Sequence, residues 1–228
     1  MSQKFLVFSA HPDDADFGCS GTVAQLVKEG NEVVYCIVSN GEKGTHKVKV
    51  SRQAIISLRE KEQRAAAGIL GVKKVVFLNE KDGEVENTKA LRKKIVKVIR
   101  QCRPDVVLSF DPVNLVFDNF RRYHRDHRQA AEAVFDAIFP AAGSDAFFKE
   151  LKIKPHTIKE AWFFASHSPN LWIDISKTIN KKIEALLAHA SQISSEKELR
   201  KKISGWAKET GQEKHLKYAE KFRKLELL

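Results

Sequence analysis

A histidine and two adjacent aspartates, His11, Asp13 and Asp14, follow directly on a short apolar run in the stretch KFLVFSAHPDDADFGCSGT. Neighbouring carboxylates repel each other, so they require solvent, hydrogen bonds or a bound cation. Aspartate also favours turns and helix N-caps, and a capped turn would account for both carboxylates. It would not account for the histidine, so a capped turn and a cation site both stay open.

A second group of ionisable residues lies in the stretch YHRDHRQAAEAVF, which begins at residue 123. His124 and His127 are three residues apart at the start of a predicted helix, and this spacing places both on one face. Asp126 lies between them. A solvated helix terminus is the alternative for this group taken alone.

The chain alternates short apolar runs with amphipathic stretches, which predicts a parallel sheet covered by helices on both faces. The predicted strands are residues 6–10, 33–39, 74–78, 105–110 and 161–165, and the predicted helices are residues 22–29, 52–70, 91–102, 124–138, 176–192 and 196–225. The fold class is therefore α/β, a Rossmann-like doubly wound, mostly parallel sheet with a helical C-terminal extension. Residues 1–228 are predicted to form a single domain.

Both ionisable groups follow predicted strands, and ligands of doubly wound sheets bind beyond the carboxyl ends of the strands. We therefore expect the two groups to converge. Two histidines and one carboxylate with an open position are typical of a catalytic metal site for zinc, although Fe(II) uses the same ligands. Such a metal lowers the pKa of bound water to about 7. A remaining carboxylate would then act as general base and a remaining histidine as electrophile or acid.

The stretches AHPDDADFGCSGT and HRDH together resemble the metal motifs of the PIG-L/LmbE-like zinc-dependent de-N-acetylases. The resemblance covers nearly the whole chain, through SNGEKGT, LREKEQRAAAGILGV, FLNEKDGEV, RPDVVLSFDP and KKIEALLAHASQ. The family includes de-N-acetylases of N-acetylglucosaminyl-phosphatidylinositol and enzymes of mycothiol and bacillithiol synthesis. The resemblance implies hydrolysis of the N-acetyl group of a small N-acetylglucosamine-type conjugate, with release of acetate and a free amine.

The resemblance also implies a role for each residue of the first group. His11 and Asp14 match two metal ligands, and His127 matches the third. The implied metal is Zn²⁺, with Fe²⁺ or another divalent ion as the alternative. Asp13 matches the general base.

Four further positions match residues that act on the substrate. His124 matches the histidine that polarises the amide carbonyl or protonates the leaving amine, and Asp126 matches the carboxylate that orients this histidine. Arg59 matches an arginine that contacts substrate hydroxyl or acidic groups. Asp82 matches an acidic residue that reaches the substrate.

The chain departs from the common family motif at two places. The motif has glutamate directly after the two aspartates, whereas here an alanine takes that place and Asp16 follows. Arg125 replaces the proline of the commoner His-Pro-Asp-His, which adds a positive charge near the predicted site. The sequence leaves the roles of Asp16, Arg125 and His167 open. His46 and Lys47, in the glycine-containing loop, border the predicted pocket.

Composition narrows the choice of partner and compartment. The 228 residues carry a net charge of +11, but the lysines alternate with glutamates on predicted helix faces and no nucleic-acid recognition motif accompanies them. We therefore expect a small amino-sugar substrate and no nucleic acid. Three widely spaced cysteines, no signal-like start and no apolar run long enough for a bilayer predict a cytoplasmic protein without a membrane span. A homo-oligomer, trimer or hexamer, is also predicted.

Three alternatives remain at this stage. An amidohydrolase could use the same site on another small N-acyl substrate. A non-haem Fe(II) oxygenase uses the same ligand types, but the alternating pattern does not favour it. A basic nucleic-acid or anionic-surface binding protein is the non-enzyme alternative, and its binding would depend steeply on salt but not on a metal.

Overall fold

The apolar run before the His-Pro-Asp-Asp sequence forms an inner strand of a seven-stranded sheet. The computed structural model describes residues 2–44, 50–114 and 123–227, and the predicted pocket residues His46 and Lys47 lie outside these ranges. In the described ranges the strands are β1 Lys4–Ser9, β2 Glu32–Ser39, β3 Lys74–Glu80, β4 Val106–Phe110, β5 Glu160–Phe164, β6 Leu171–Asp174 and β7 Ala219–Glu226. The α-helices there are α1 Asp14–Lys28, α2 Arg52–Leu70, α3 Lys89–Cys102, α4 Arg125–Asp136, α5 Ile179–Leu187 and α6 Glu196–Gln212.

The strand order β3-β2-β1-β4-β5-β7-β6 confirms the predicted mostly parallel α/β sheet. Strands β1 to β5 pair in parallel, and β7 pairs antiparallel with both β5 and β6. Helices α1, α2 and α5 pack together, whereas α3 and α4 form another group, as expected for two helical layers. The order of strands reverses between β1 and β4, and a ligand crevice is expected there.

Helix α1 begins at Asp14, so the predicted start near residue 22 was wrong. Two glycines inside the helix concealed it, because glycine is a poor helix former. Both allow close packing: a Cβ at Gly18 would lie 2.7 Å from Phe164, and a Cβ at Gly21 would lie 2.8 Å from Ile175. The helix therefore starts directly at the ionisable group and carries it against the sheet.

The predicted helix over residues 196–225 was also wrong in its second half. Helix α6 ends at Gln212, and residues 219–226 form strand β7. The sequence AEKFRKLE of β7 contains strong helix formers, and pairing with two neighbouring strands overrides that preference. The C-terminal extension thus combines two helices with an antiparallel pair of strands, of which β6 was not predicted.

A buried ion pair attaches this extension to helix α1. Lys182 and Glu220 are 4% and 7% exposed. The Lys182 ammonium group donates to Glu220 Oε1 over 2.5 Å and to the carbonyl oxygen of Phe17 over 2.6 Å. The Glu220 carboxylate accepts from the backbone N–H groups of Gly21 and Thr22, at 3.1 and 2.7 Å. Helix α1 is therefore fixed from α5 and β7 as well as by the sheet.

Strands β1, β2 and β4 are buried almost throughout, which explains their continuous apolar sequences. None of the helices in the described ranges is long and apolar enough to cross a membrane. The single domain, the oligomeric state and the cytoplasmic location stay predictions.

Candidate metal and catalytic site

The two ionisable groups meet just beyond the ends of β1 and β4. His11 Nδ1 lies 3.3 Å from His127 Nε2 and 3.3 Å from Asp14 Oδ2. His127 Nε2 lies 3.2 Å from Asp14 Oδ1. Zinc bonds of about 2.0–2.2 Å at tetrahedral angles place donor atoms about 3.3–3.6 Å apart. The two nitrogens have this spacing, and each Asp14 oxygen faces one of them at a similar distance, so the three side chains can supply three ligands of one metal ion.

Two carboxylates determine which nitrogen of His11 can bind a metal. Asp82 Oδ1 and Asp126 Oδ2 lie 3.1 and 3.2 Å from His11 Nε2. The ligating atoms of these three residues are close together, as are those of His11, His124 and His127. Ionised carboxylates only accept hydrogen bonds, so Nε2 carries a proton and Nδ1, which faces Asp14, is the nitrogen available to a metal. Such carboxylate support is usual for histidine ligands of metals.

The charges of this cluster shift the pKa values of its members. Burial alone would lower the pKa of His11, but Asp126, Asp14 and Asp82 together raise it well above its usual range. Burial would raise the pKa of Asp14, but His127 and His11 hold it well below its usual range. Asp14 is therefore charged, as a metal-ligating carboxylate must be, and a metal bound here would replace the extra proton of His11.

His127 is oriented by packing. Phe110, the last residue of β4, stacks on its ring with centroids 4.2 Å apart and an interplanar angle of 15°. Among the described residues, His127 Nδ1 is buried without a hydrogen-bond partner. Stacking therefore orients the ring of His127, whereas the two carboxylates orient the ring of His11.

The carboxylate of Asp126 lies against His11 and the loop after β3, and its predicted role of orienting His124 stays a prediction. The Asp126 side chain is completely buried, and its oxygens accept from the N–H groups of Gly83 at 2.6 Å and Val85 at 3.3 Å in addition to His11. Burial would raise the pKa of Asp126, but these bonds and the His11 charge lower it. Asp126 therefore joins the loop after β3 to His11.

A backbone hydrogen bond sets the orientation of the His124 ring. It is the N-cap of α4, and its Nδ1 accepts from the N–H of Asp126 over 3.2 Å. In the neutral ring Nε2 must then carry the proton. Burial lowers the pKa of His124, and the neighbouring His11 and His127 lower it further. His124 is thus a neutral side chain that can donate a hydrogen bond from Nε2.

Asp13 has an environment opposite to that of Asp14. Its backbone lies in the left-handed region, with φ 99° and ψ −29°, and its Oδ2 is 3.2 Å from Arg59 Nη2. Burial first, and the charge of Asp14 second, raise the pKa of Asp13 to about 6, although Arg59 acts in the other direction. Two adjacent carboxylates with opposite pKa shifts are typical of a division between charge stabilisation and proton transfer.

Arg59 is 4% exposed and its guanidinium group is bound by the chain itself. Besides Asp13, it donates to the carbonyl oxygens of Pro12 at 2.6 Å and Gly41 at 3.2 Å. A Cβ at Gly41 or Gly44 would lie 2.6 or 2.3 Å from Arg59 Nη1, so only glycine leaves room for it. The stretch SNGEKGT therefore accommodates Arg59. Contact of Arg59 with substrate stays a prediction.

Asp82 lies behind His11, where its second oxygen accepts from the N–H of Lys43 over 3.0 Å. Burial would raise the pKa of Asp82, but bonding to His11 lowers it. Its predicted contact with substrate likewise stays a prediction. Arg125 is half-exposed and forms a 3.0 Å ion pair with Glu86, so it joins α4 to the loop after β3.

Residues that the sequence did not identify lie on two sides of the site. Asp16 is completely buried and accepts from Gln63 and His189, both also completely buried. His189 lies in the stretch KKIEALLAHASQ, which carried the family resemblance, but the sequence assigned it no role.

A small pocket lies beside His127. Among the described residues, Asp111, Asn114 and Tyr123 also line this pocket. The hydroxyl group of Tyr123 is hydrogen-bonded to His167 Nε2, so His167 lies near this pocket.

Comparison with known proteins gives a consistent result. The model of the family "PIG-L: GlcNAc-PI de-N-acetylase" matches residues 6–138. Diacetylchitobiose deacetylase of Thermococcus kodakarensis is 36% identical over 193 residues, which are 83% of this chain and 70% of that protein. Probable N-acetyl-alpha-D-glucosaminyl L-malate deacetylase 2 of Bacillus anthracis is 29% identical over 197 residues, covering 83% and 81%.

The solved structure of N,N'-diacetylchitobiose deacetylase from Pyrococcus horikoshii, complexed with its inhibitor MPG, superimposes with a TM-score of 0.91 at 27% identity. The match covers 99% of this chain and 84% of that one. The match thus includes the C-terminal extension that the family model leaves out. The family predicted from the sequence is confirmed: the chain belongs to the PIG-L family of de-N-acetylases.

Proposed function

We propose that this chain is a zinc-dependent hydrolase that removes the N-acetyl group from a small molecule containing N-acetylglucosamine. The observation that carries the proposal is the donor triangle of His11 Nδ1, Asp14 and His127 Nε2, in which the nitrogens are 3.3 Å apart and each lies 3.2–3.3 Å from one Asp14 oxygen. Two nitrogens and one carboxylate at tetrahedral spacing suit Zn²⁺, and Fe²⁺ is the alternative. The names of the relatives, deacetylases of diacetylchitobiose and of N-acetylglucosaminyl malate, support the substrate class.

In this proposal the metal, when bound, polarises the acetyl group and lowers the pKa of water. Asp13 then accepts the proton of the attacking water. Its raised pKa of about 6 suits a base that must also give the proton back. Arg59, 3.2 Å away, limits the rise and holds the carboxylate in place.

His124 receives one of the two roles that the sequence left open. Its lowered pKa and its proton on Nε2 suit donation of a hydrogen bond to the acetyl oxygen as negative charge develops there. A neutral imidazole is a poor proton donor to a leaving amine. Asp13, protonated in the first step, therefore delivers the proton to the departing nitrogen, and acetate and a free amine result.

The proposal is tested by release of amine and acetate. The protein is purified without chelator, loaded with Zn²⁺ and incubated with N,N'-diacetylchitobiose, N-acetylglucosaminyl malate and N-acetylglucosamine. We expect equal amounts of primary amine and acetate from at least one compound, loss of activity with chelator and recovery with Zn²⁺.

Two variants make this test specific. His127→Ala should abolish release, because it removes a proposed ligand. His215→Asn serves as the matched control: His215 is exposed at φ 56°, a conformation that asparagine tolerates. Absence of release from the whole panel, or release that is indifferent to chelator and to His127→Ala, would refute the proposed function.

A further inference from the structure

We infer that Gln63, held by Asp16 and His189, is a positioning residue that fixes Asp13 in the orientation needed for proton transfer. The inference rests on the proposed role of Asp13 as the base. Gln63 belongs to α2 and Asp16 to α1, while His189 follows α5. Three elements thus meet below a single residue of the site.

Asp13 needs support because its backbone is strained. A φ of 99° at a residue with a side chain is strained and persists only where the surroundings enforce it. Asp13 is the N-cap of α1, yet its carboxylate makes no capping bond to the helix. That carboxylate is turned toward Arg59 instead. Its N–H donates to Gln63 Oε1 over 2.9 Å, a bond that ties this backbone to α2.

Asp16 determines which way the Gln63 amide faces. A carboxylate only accepts hydrogen bonds, and Asp16 Oδ2 lies 2.8 Å from Gln63 Nε2. The amide oxygen of Gln63 must therefore point to the other side, toward the N–H of Asp13. A reversed amide would place two donors together at Asp13 and two acceptors together at Asp16.

His189 and the residues after it fix this chain of bonds from below. His189 Nε2 donates to the same Asp16 oxygen over 2.8 Å. Two residues on, Ser191 donates from its N–H and its hydroxyl group to Glu62, each over 2.7 Å. Gln192 donates to the carbonyl oxygen of Gly44 over 2.7 Å. The segment 189–192 thus binds both α2 and the loop that accommodates Arg59.

A double-mutant cycle separates positioning from general stability. Gln63→Met keeps the side-chain length but can neither accept from Asp13 nor donate to Asp16. We expect kcat to fall at least tenfold while KM changes less than twofold. In the Asp13→Asn background the same substitution should change kcat less than twofold, because the function through which it acts is already gone. A full loss in both backgrounds would overturn the inference.

Leu70→Ala is the control for lost stability, two turns further along the same helix, 4% exposed and without a described contact to Asp13, Asp16 or His189. It should reduce stability as Gln63→Met does but leave kcat within twofold. Asp16→Asn provides rescue: its amide oxygen can accept from both Gln63 and His189, so it should keep kcat, whereas Asp16→Ala should not. Equal losses of kcat in Leu70→Ala and Gln63→Met, or in both Asp16 variants, would contradict the inference.

A measurement without substrate separates failure of this inference from failure of the proposed function. In the wild-type protein the amide hydrogen of Asp13 should exchange slowly with solvent. In Gln63→Met its exchange should accelerate at least tenfold, whereas in Leu70→Ala it should stay unchanged. Fast exchange in the wild type would overturn the inference even if Gln63→Met failed to fold. Inactivity toward every N-acetyl substrate would leave this test intact and refute only the function.

Discussion

Asp13→Asn should stabilise the metal-free protein. It should also abolish most of the activity of the Zn²⁺-loaded protein. The pKa of the Asp13 carboxyl is raised from 3.8 in the unfolded chain to about 6 in the fold, so the folded state holds a proton over an interval where the unfolded state has lost it. The stabilisation of the fold by protonated Asp13 is fully present below pH 3.8 and is lost as the pH rises to about 6. Above that, ionised Asp13 destabilises the fold by about 3 kcal/mol. For a chain of this size the gain in Tm is roughly 6–12 °C.

Asparagine fits the site in other respects. It tolerates the left-handed backbone well, and its amide oxygen can still accept from Arg59. It cannot accept a proton, and loss of a positioned acid–base group lowers the rate roughly 10²–10⁴-fold, or about 3–5 kcal/mol of activation free energy. Because Asp13 is not part of the donor triangle, metal content should remain near that of the wild type.

The assay has two arms. Urea unfolding in chelator between pH 4 and pH 8 gives the stability difference between wild type and Asp13→Asn, which should be near zero at pH 4 and largest above pH 6. Acetate release by the Zn²⁺-loaded proteins gives kcat. Asp145→Asn, at an exposed aspartate, is the control for loss of a charge alone. A variant that is less stable than the wild type at pH 7, that keeps full activity or that loses its metal would refute the reasoning.

Four further outcomes follow from the contacts of the site. Asp14→Ala should lose metal and activity together, and elemental analysis that finds wild-type metal content would exclude Asp14 as a ligand. Arg59→Ala should lower kcat at least tenfold through Asp13; a rise in KM with unchanged kcat would instead favour the predicted contact with substrate. Metal binding should release a proton, because the raised pKa of His11 keeps that ring protonated, and the affinity for metal should fall as the pH falls. Calorimetry in two buffers of different ionisation enthalpy that finds no proton release would contradict this. Lys182→Met should lower the free energy of unfolding in urea by about 3–5 kcal/mol, because it leaves Glu220 buried and unpaired. Lys182→Met together with Glu220→Leu should recover part of this loss. A loss below about 1 kcal/mol in Lys182→Met would contradict the importance of the pair.

The sequence predicted those features that short-range patterns encode. Continuous apolar runs identified β1, β2 and β4, and the rule that parallel strands end at one edge brought His11 and His127 together. It missed the start of α1 because Gly18 and Gly21 serve packing against other elements. It misassigned β7 because the helix formers of AEKFRKLE are overridden by neighbours distant in the chain.

The support of the site was harder to predict than its ligands. The Asp126 carboxylate was assigned to His124 through the family resemblance, whereas its hydrogen-bond partners in the structure are the ring of His11 and two N–H groups of the loop after β3. His11 is 115 positions away in the sequence. The contact of Asp16 with His189 joins residues 173 positions apart, and no local spacing indicates it. Residue types at short range therefore identify the chemistry, whereas the residues that hold it in place emerge only in three dimensions.

The ion pair of Lys182 with Glu220 supports α1, the helix that begins at Asp14, only once β7 has been synthesised. The strand that carries Glu220 follows His11 and Asp14 by about 200 residues, which corresponds to about 10–40 s at usual rates of elongation. During that interval β5 also lacks its partner β7, and Asp16 lacks His189. The nascent chain therefore displays the proposed metal ligands before α1 is fully supported, and we expect the proposed ion to be acquired after β7 has been synthesised.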